Sequence, residues 1–99
     1  MEEEDIVVNS RKTLLDSHNS LGHRTNAAFT LRSHPSDASI QALCDALQNK
    51  ADSVLLRHEL GYILGQMKAR TACPVLSAVV ADETDDVIVR HEVISLQYK

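Results

Sequence analysis

Two histidine–glutamate pairs stand at corresponding places in two helical segments of this sequence. His58 and Glu59 lie within LLRHELGYILGQM, and His91 and Glu92 lie within VIVRHEVISLQ. Imidazole and carboxylate groups are both common ligands of transition metals. Consecutive side chains on a helix diverge by about 100°, so one pair cannot readily chelate a single ion. Each pair could instead offer its imidazole to one metal and its carboxylate to a second metal nearby.

Other kinds of catalytic site do not fit the sequence. A zinc protease of the H-E-x-x-H type needs a second histidine four residues after the first, where this chain has Tyr62 and Ser95. The serines lie mostly in linkers, neither cysteine has a histidine close by in sequence, and no glycine-rich phosphate loop occurs. Mixed imidazole and carboxylate ligation suits non-haem iron, with positions left open for oxygen. A structural role, in which each histidine is bonded to a neighbour on a half-exposed helix, stays open on this evidence.

The segments that carry the pairs belong to a repeat with a constant interval. Arg24, Arg57 and Arg90 mark this interval, because each lies 33 residues after the one before it. The first copy has Thr25 and Asn26 where the later copies have histidine and glutamate, so the repeat itself does not require the pair. Apolar columns follow the same interval, among them Ala27, Leu60 and Val93, Leu14, Leu47 and Val80, and Val7, Ile40 and Cys73. Their spacing of three and four residues predicts a pair of helices in each period.

Capping and breaking residues divide the chain into six predicted helices. Serine or aspartate before residue 38, Asp52 or Ser53, and the acidic run at 82–86 are suitable helix caps, and Pro74 suits a first helical turn. The helices are predicted at about 4–16, 22–33, 38–48, 53–67, 71–81 and 86–97. Helix pairs that recur with a period of this size indicate an all-α, HEAT-like α/α solenoid of about three repeats, forming one domain over residues 1–99. Tyr62 and Met67 are interpreted as core residues of the fourth helix.

Composition and charge exclude several classes of partner. The chain has 99 residues, of which 43% are hydrophobic. Its net charge of −4 argues against nucleic acid as a partner. No apolar run reaches the roughly 20 residues of a membrane span. Cys44 and Cys73 are far apart and fall in apolar helical patterns, so both are interpreted as reduced core residues of a cytoplasmic protein. The acidic run at 82–86 is interpreted as a solvated loop with a helix cap.

Three segments together resemble the amino-terminal half of the deoxyhypusine hydroxylase family. They are RTNAAFTLR, LLRHELGYILGQM and VIVRHEV, and they extend over nearly the whole chain. The resemblance implies a HEAT-repeat fold with two iron ions that use molecular oxygen to hydroxylate a deoxyhypusine side chain on a translation initiation factor. It assigns His58, Glu59, His91 and Glu92 as iron ligands and no catalytic residues beyond them.

The resemblance also indicates what this chain would lack. Family enzymes have a second half with two further histidine–glutamate pairs, and the present sequence has none after Glu92. The chain is therefore expected to be a truncated form that is inactive as a lone monomer, and a carboxyl-terminal half or a second copy would have to complete the site. A HEAT-repeat interaction module without catalysis is the alternative.

Overall fold

Six helices make up the part of the chain that the computed structural model describes, residues 2–69 and 72–97 without the side chains of 73 and 95–97. The helices are α1 Glu3–Leu15, α2 Leu21–Ser33, α3 Asp37–Gln48, α4 Val54–Gln66, α5 Cys73–Ala81 and α6 Val87–Gln97. The all-α fold predicted from the repeat is confirmed, and the helix bounds lie close to the predicted ones. The start predicted for the fifth helix, residue 71, lies outside the described residues.

Short polar side chains begin four of these helices. Ser20 accepts a hydrogen bond from the backbone N–H of His23, and Ser53 accepts one from Leu56. Asp86 accepts from the N–H of Ile88 at 2.8 Å, and Ser36 caps α3 in the same way as the other serines. Each cap satisfies a backbone donor that the helix itself leaves without a partner. The predicted linkers therefore end where the sequence supplies a cap.

The even-numbered helices pack side by side in the order α2, α4, α6. The odd-numbered helices pack along them, α1 against α2 and α3, and α5 against α6. An aliphatic core lies between the two rows, and Leu31, Leu47 and Leu60 are completely buried in it. A Cβ atom at Gly61 would lie only 3.3 Å from Cγ2 of Val93, so glycine permits the close approach of α4 and α6.

Buried ion pairs explain the arginines of the first two repeats. The Nε of Arg57 donates to the carbonyl oxygen of Leu47 at 2.8 Å, and its Nη2 donates to Asp85 at 2.7 Å. The side chains of Arg57 and Asp85 are 1% and 3% exposed. Arg24 repeats this arrangement one period earlier, with the carbonyl of Leu14 and both carboxylate oxygens of Asp52. Arg24 and Arg57 thus each join the end of the first helix of their own pair to the turn between the two helices of the next pair.

These pairs correct the interpretation of the acidic run. The run at 82–86 is not simply a solvated loop, because Asp85 is 7% exposed and holds the guanidinium of Arg57. Its neighbour Asp82 does face solvent, where it binds Lys50 and Thr84. The hydrogen bond from Arg57 holds the pKa of Asp85 below its ordinary value, and Arg24 has the same effect on the pKa of Asp52.

The lowered pKa values predict that acid destabilises the fold. In the folded chain Asp52 and Asp85 stay ionised at a pH at which the unfolded chain already binds protons. Their contribution is complete above the unfolded pKa of about 3.9 and is lost as the pH falls toward the lower folded values. We expect the free energy of unfolding, measured by urea titration with circular dichroism, to fall between about pH 5 and about pH 2. An unfolding free energy that stays constant over this range would contradict the ion-pair account.

The prediction that the cysteines are reduced core residues can be compared with the structure for Cys44. Cys44 is free and 3% exposed, and burial raises the pKa of its thiol. The side chain of Cys73 lies outside those described.

Among the described residues, no helix combines the length and the apolar character that a bilayer crossing requires.

Candidate metal centre

The imidazole of one histidine–glutamate pair meets the carboxylate of the other pair. Nε2 of His58 lies 3.2 Å from Oε2 of Glu92. His58 is on α4 and Glu92 is on α6, and these helices approach closely where Gly61 faces Val93. The same approach therefore sets the distance between the two polar side chains. Both stay accessible to solvent, with 35% of the His58 side chain and 18% of the Glu92 side chain exposed.

The other two predicted ligands do not join this contact. His91 is exposed on α6, and Glu59 is half-buried on α4. Among the described residues, no three histidine, cysteine, aspartate or glutamate side chains are arranged so that they could hold one metal ion. The two pairs thus lie on neighbouring helices, but only one imidazole and one carboxylate come together.

The contact between the pairs has a simple origin in the sequence. His91 is the equivalent of His58 in the next repeat, and Glu92 directly follows it. Side chains at equivalent positions of stacked repeats lie side by side, and the shift of one residue brings the carboxylate of the third repeat to the imidazole of the second. A single pair taken by itself does not predict this partner, although the interval of the repeat contains the signal.

Exposed apolar side chains border the contact on the same helices. Leu55 and Tyr62 lie three residues before and four residues after His58, which places all three on one face of α4. They are 63% and 40% exposed, and Ile88 on α6 is 58% exposed. The interpretation of Tyr62 as a core residue was wrong, because α4 buries the faces that meet α2, α3 and α6 and leaves the tyrosine outside them. Met67, in contrast, packs against the core as expected.

The donor atoms present fit an iron ion in kind. Imidazole nitrogen and carboxylate oxygen are the ligand types of non-haem iron sites. Metal bonds of about 2.1 Å at a right angle put two donor atoms about 3 Å apart, and the separation of 3.2 Å between His58 and Glu92 is close to this value. The described residues therefore offer two compatible ligands at one point, and an ion there would need further ligands from elsewhere.

The remaining three histidines are separate from this site. His18 lies 3.5 Å from Asp16, and His34 lies 3.6 Å from Glu3. His23 lines an open polar cleft between α1 and α2. None of the three lies in the repeated columns that carry His58 and His91.

Comparison with known proteins identifies similar chains. Residues 9–97 match the HEAT repeats family. The chain is 43% identical over 90 residues to deoxyhypusine hydroxylase of Xenopus laevis, covering 91% of this chain and 29% of that protein. It is 40% identical over 90 residues to deoxyhypusine hydroxylase of Homo sapiens, with the same coverage of 91% and 29%. The solved structure of human deoxyhypusine hydroxylase in complex with glycerol superposes with a TM-score of 0.89 at 37% identity, covering 96% of this chain and 32% of that one. The chain thus spans less than a third of the length of these relatives.

Proposed function

Because the chain belongs to the HEAT-repeat family and its relatives are named deoxyhypusine hydroxylases, we propose that it supplies one wall of an iron-dependent site for deoxyhypusine hydroxylation. The substrate would be the deoxyhypusine form of a translation initiation factor, and the protein would act in the cytoplasm. Residues 1–99 would form a single HEAT-repeat unit, inactive by itself. The contact between His58 and Glu92 across α4 and α6 is the observation that carries the proposal.

The four residues of the two pairs have one common role in this proposal. His58, Glu59, His91 and Glu92 would hold iron, which when bound supplies the activation of molecular oxygen. The chain itself fixes the donors on two packed helices, so that their separation is set by backbone contact and not by a flexible loop. The exposed side chains of Leu55, Tyr62 and Ile88 would exclude water from one side of the substrate.

Iron binding tests the metal role directly. We expect the His58→Ala and His91→Ala variants to bind Fe(II) at least about tenfold more weakly than the wild type under anaerobic conditions, with unchanged helical circular dichroism. The fold tolerates a small polar side chain at this position, because Thr25 occupies the equivalent place in the first repeat. Isothermal titration with Fe(II) and circular dichroism of the same samples would measure both quantities.

Two control variants separate metal ligation from folding. Thr25→Ala changes the matching position of the repeat without a histidine and should leave iron binding unchanged. Leu64→Ala removes a completely buried side chain and should lower stability by about 2–5 kcal/mol. If the histidine variants lose helicity in proportion to iron binding, the histidines have a structural role and the metal assignment is wrong.

A second candidate function is an interaction module without catalysis. The observation in its favour is that the described residues bring only two candidate ligands together. Such a module would bind the initiation factor equally well with and without iron. Calorimetric titration of the wild-type chain with the deoxyhypusine-bearing factor, before and after chelation, distinguishes the two functions, because a metal site contacting the substrate makes the affinity depend on iron.

A further inference from the structure

The aromatic ring of Phe29 on α2 holds a cation. The guanidinium carbon of Arg32 lies 4.8 Å from the centre of this ring, and a cation within about 6 Å of the face of an aromatic side chain is attracted to it. Arg32 lies three residues after Phe29, so the two side chains are neighbours on α2. The Nη1 of Arg32 also donates to Oε1 of Gln66 on α4 at 2.8 Å, which fixes the guanidinium in place. The first helix pair therefore contains a complete aromatic site for a cation.

The second helix pair keeps the aromatic ring of this site but not its cation. Tyr62 is the equivalent of Phe29, and Gly65 is the equivalent of Arg32, each 33 residues later. A glycine has no side chain, so α4 cannot supply a cation from this position. Among the side chains that the structure describes, none places a cation over the ring of Tyr62. Tyr62 is 40% exposed, which leaves its ring accessible to a cation from outside the helix pair.

Two acidic side chains lie close to Tyr62. Glu59 is three residues before it on α4, a spacing that makes the two side chains neighbours on the helix surface. On α6, Cγ of Glu92 would lie 3.9 Å from a Cβ atom at Gly61, the residue directly before Tyr62. Carboxylates at these positions increase the attraction for a cation and disfavour an anion. The chemistry around the ring therefore selects a positively charged ligand.

We propose that the ring of Tyr62 binds a protonated alkylamine of the substrate side chain. The proposal rests on the proposed function for the identity of this amine, because deoxyhypusine is an amine-bearing side chain. His58 lies four residues before Tyr62 on the same face of α4, so the cation would be held about one helical turn from the candidate metal centre. Tyr62 would thus position the carbon chain of the substrate beside the metal ligands and select a charged side chain over a neutral one.

Titration with n-butylammonium, followed by NMR of the aromatic side chains, tests the cation site without iron or the initiation factor. We expect saturable shifts of the Tyr62 ring and an upfield shift of the methylene protons next to the nitrogen of the probe. The ring of Phe29 should not respond, because Arg32 already covers it. The neutral analogue n-butanol should bind about fivefold more weakly, since it lacks the charge that the ring attracts. Equal binding of the two probes would contradict the proposal.

Substitutions of Tyr62 separate the ring from the hydroxyl group and from apolar contact. Tyr62→Phe keeps the ring and should bind n-butylammonium within about twofold of the wild type, whereas Tyr62→Leu removes the ring and should weaken binding about fivefold. Both variants should keep the helical circular dichroism of the wild type, because the side chain is exposed. Wild-type affinity in Tyr62→Leu, or an equal loss in both variants, would overturn the proposal.

Arg32→Ala is the positive control, because it uncovers the equivalent ring in the first helix pair. The ring of Phe29 should then respond to n-butylammonium as Tyr62 does in the wild type, and its failure to do so would count against a cation site at this position of the repeat. Iron binding is measured separately on His58. Iron binding without a response of Tyr62 would leave the proposed function standing and reject the amine site, and a response of Tyr62 without iron binding would do the reverse.

Discussion

The Asp85→Ala variant is expected to lose about 3–5 kcal/mol of stability, because it leaves the buried guanidinium of Arg57 without its counter-charge. The side chains of this pair are 1% and 3% exposed, so water cannot replace the carboxylate without opening the core. Stability for a chain of 99 residues is typically about 5–15 kcal/mol. The loss should therefore lower the melting temperature by more than about 10 °C, measured by circular dichroism.

Asp82 provides the matched control for this prediction. It lies three residues earlier in the same acidic run and pairs with Lys50 at the surface. Exposed ion pairs contribute little to stability, so Asp82→Ala should change the melting temperature only slightly. Equal effects of the two substitutions would mean that net charge of the run, and not the buried pair, stabilises the fold.

The wild-type chain as a dilute monomer is expected to give no hydroxylation of a deoxyhypusine-bearing substrate. Only His58 and Glu92 come together among the described residues, which is too few for one octahedral ion and far too few for two. A site that is open to water on one side also holds neither metal nor substrate in a fixed position. Product formation, measured by mass spectrometry of the substrate, should remain at the level of a reaction without protein.

Two measurements distinguish the ways in which activity could arise. The remaining part of a deoxyhypusine hydroxylase from a relative, produced separately, should restore turnover if it supplies the other ligands. Turnover by the chain alone that disappears on dilution would instead indicate a site completed by a second copy. Turnover that persists in a verified monomer would contradict the proposal that this chain forms only one wall.

The fold was largely predictable from the sequence because the residues that determine it recur periodically. The interval marked by Arg24, Arg57 and Arg90 repeats both the apolar columns and the capping residues, and these two signals define the helices and their ends. Gly61 permits the close packing of α4 on α6, since a Cβ atom there would lie 3.3 Å from Cγ2 of Val93. Local chemistry was sufficient here, since helix ends and helix faces depend on neighbouring residues.

Features that depend on distances between helices were not predictable in the same way. Asp85 belongs by composition to a solvated acidic run, and only the packing of the third helix pair on the second brings it to Arg57. The exposure of Tyr62 likewise depends on which faces of α4 its neighbours cover. To predict the contact of His58 with Glu92, the shift of α6 along its axis relative to α4 would have to be known to within one residue. That His58, Glu59, His91 and Glu92 bind iron remains a prediction.

The spacing of the buried ion pairs limits how the length of this chain can change. Arg24 and Arg57 each bind a carbonyl oxygen 10 residues earlier and a carboxylate 28 residues later. Insertion or deletion of one whole period leaves every such triplet in register, wherever the break falls. An insertion of any other length between an arginine and its aspartate must be absorbed in a loop, or it removes the carboxylate from a buried cation. Variation in length should therefore occur in whole repeats, or within a turn that can absorb the added residues without moving the aspartate, such as that between α2 and α3.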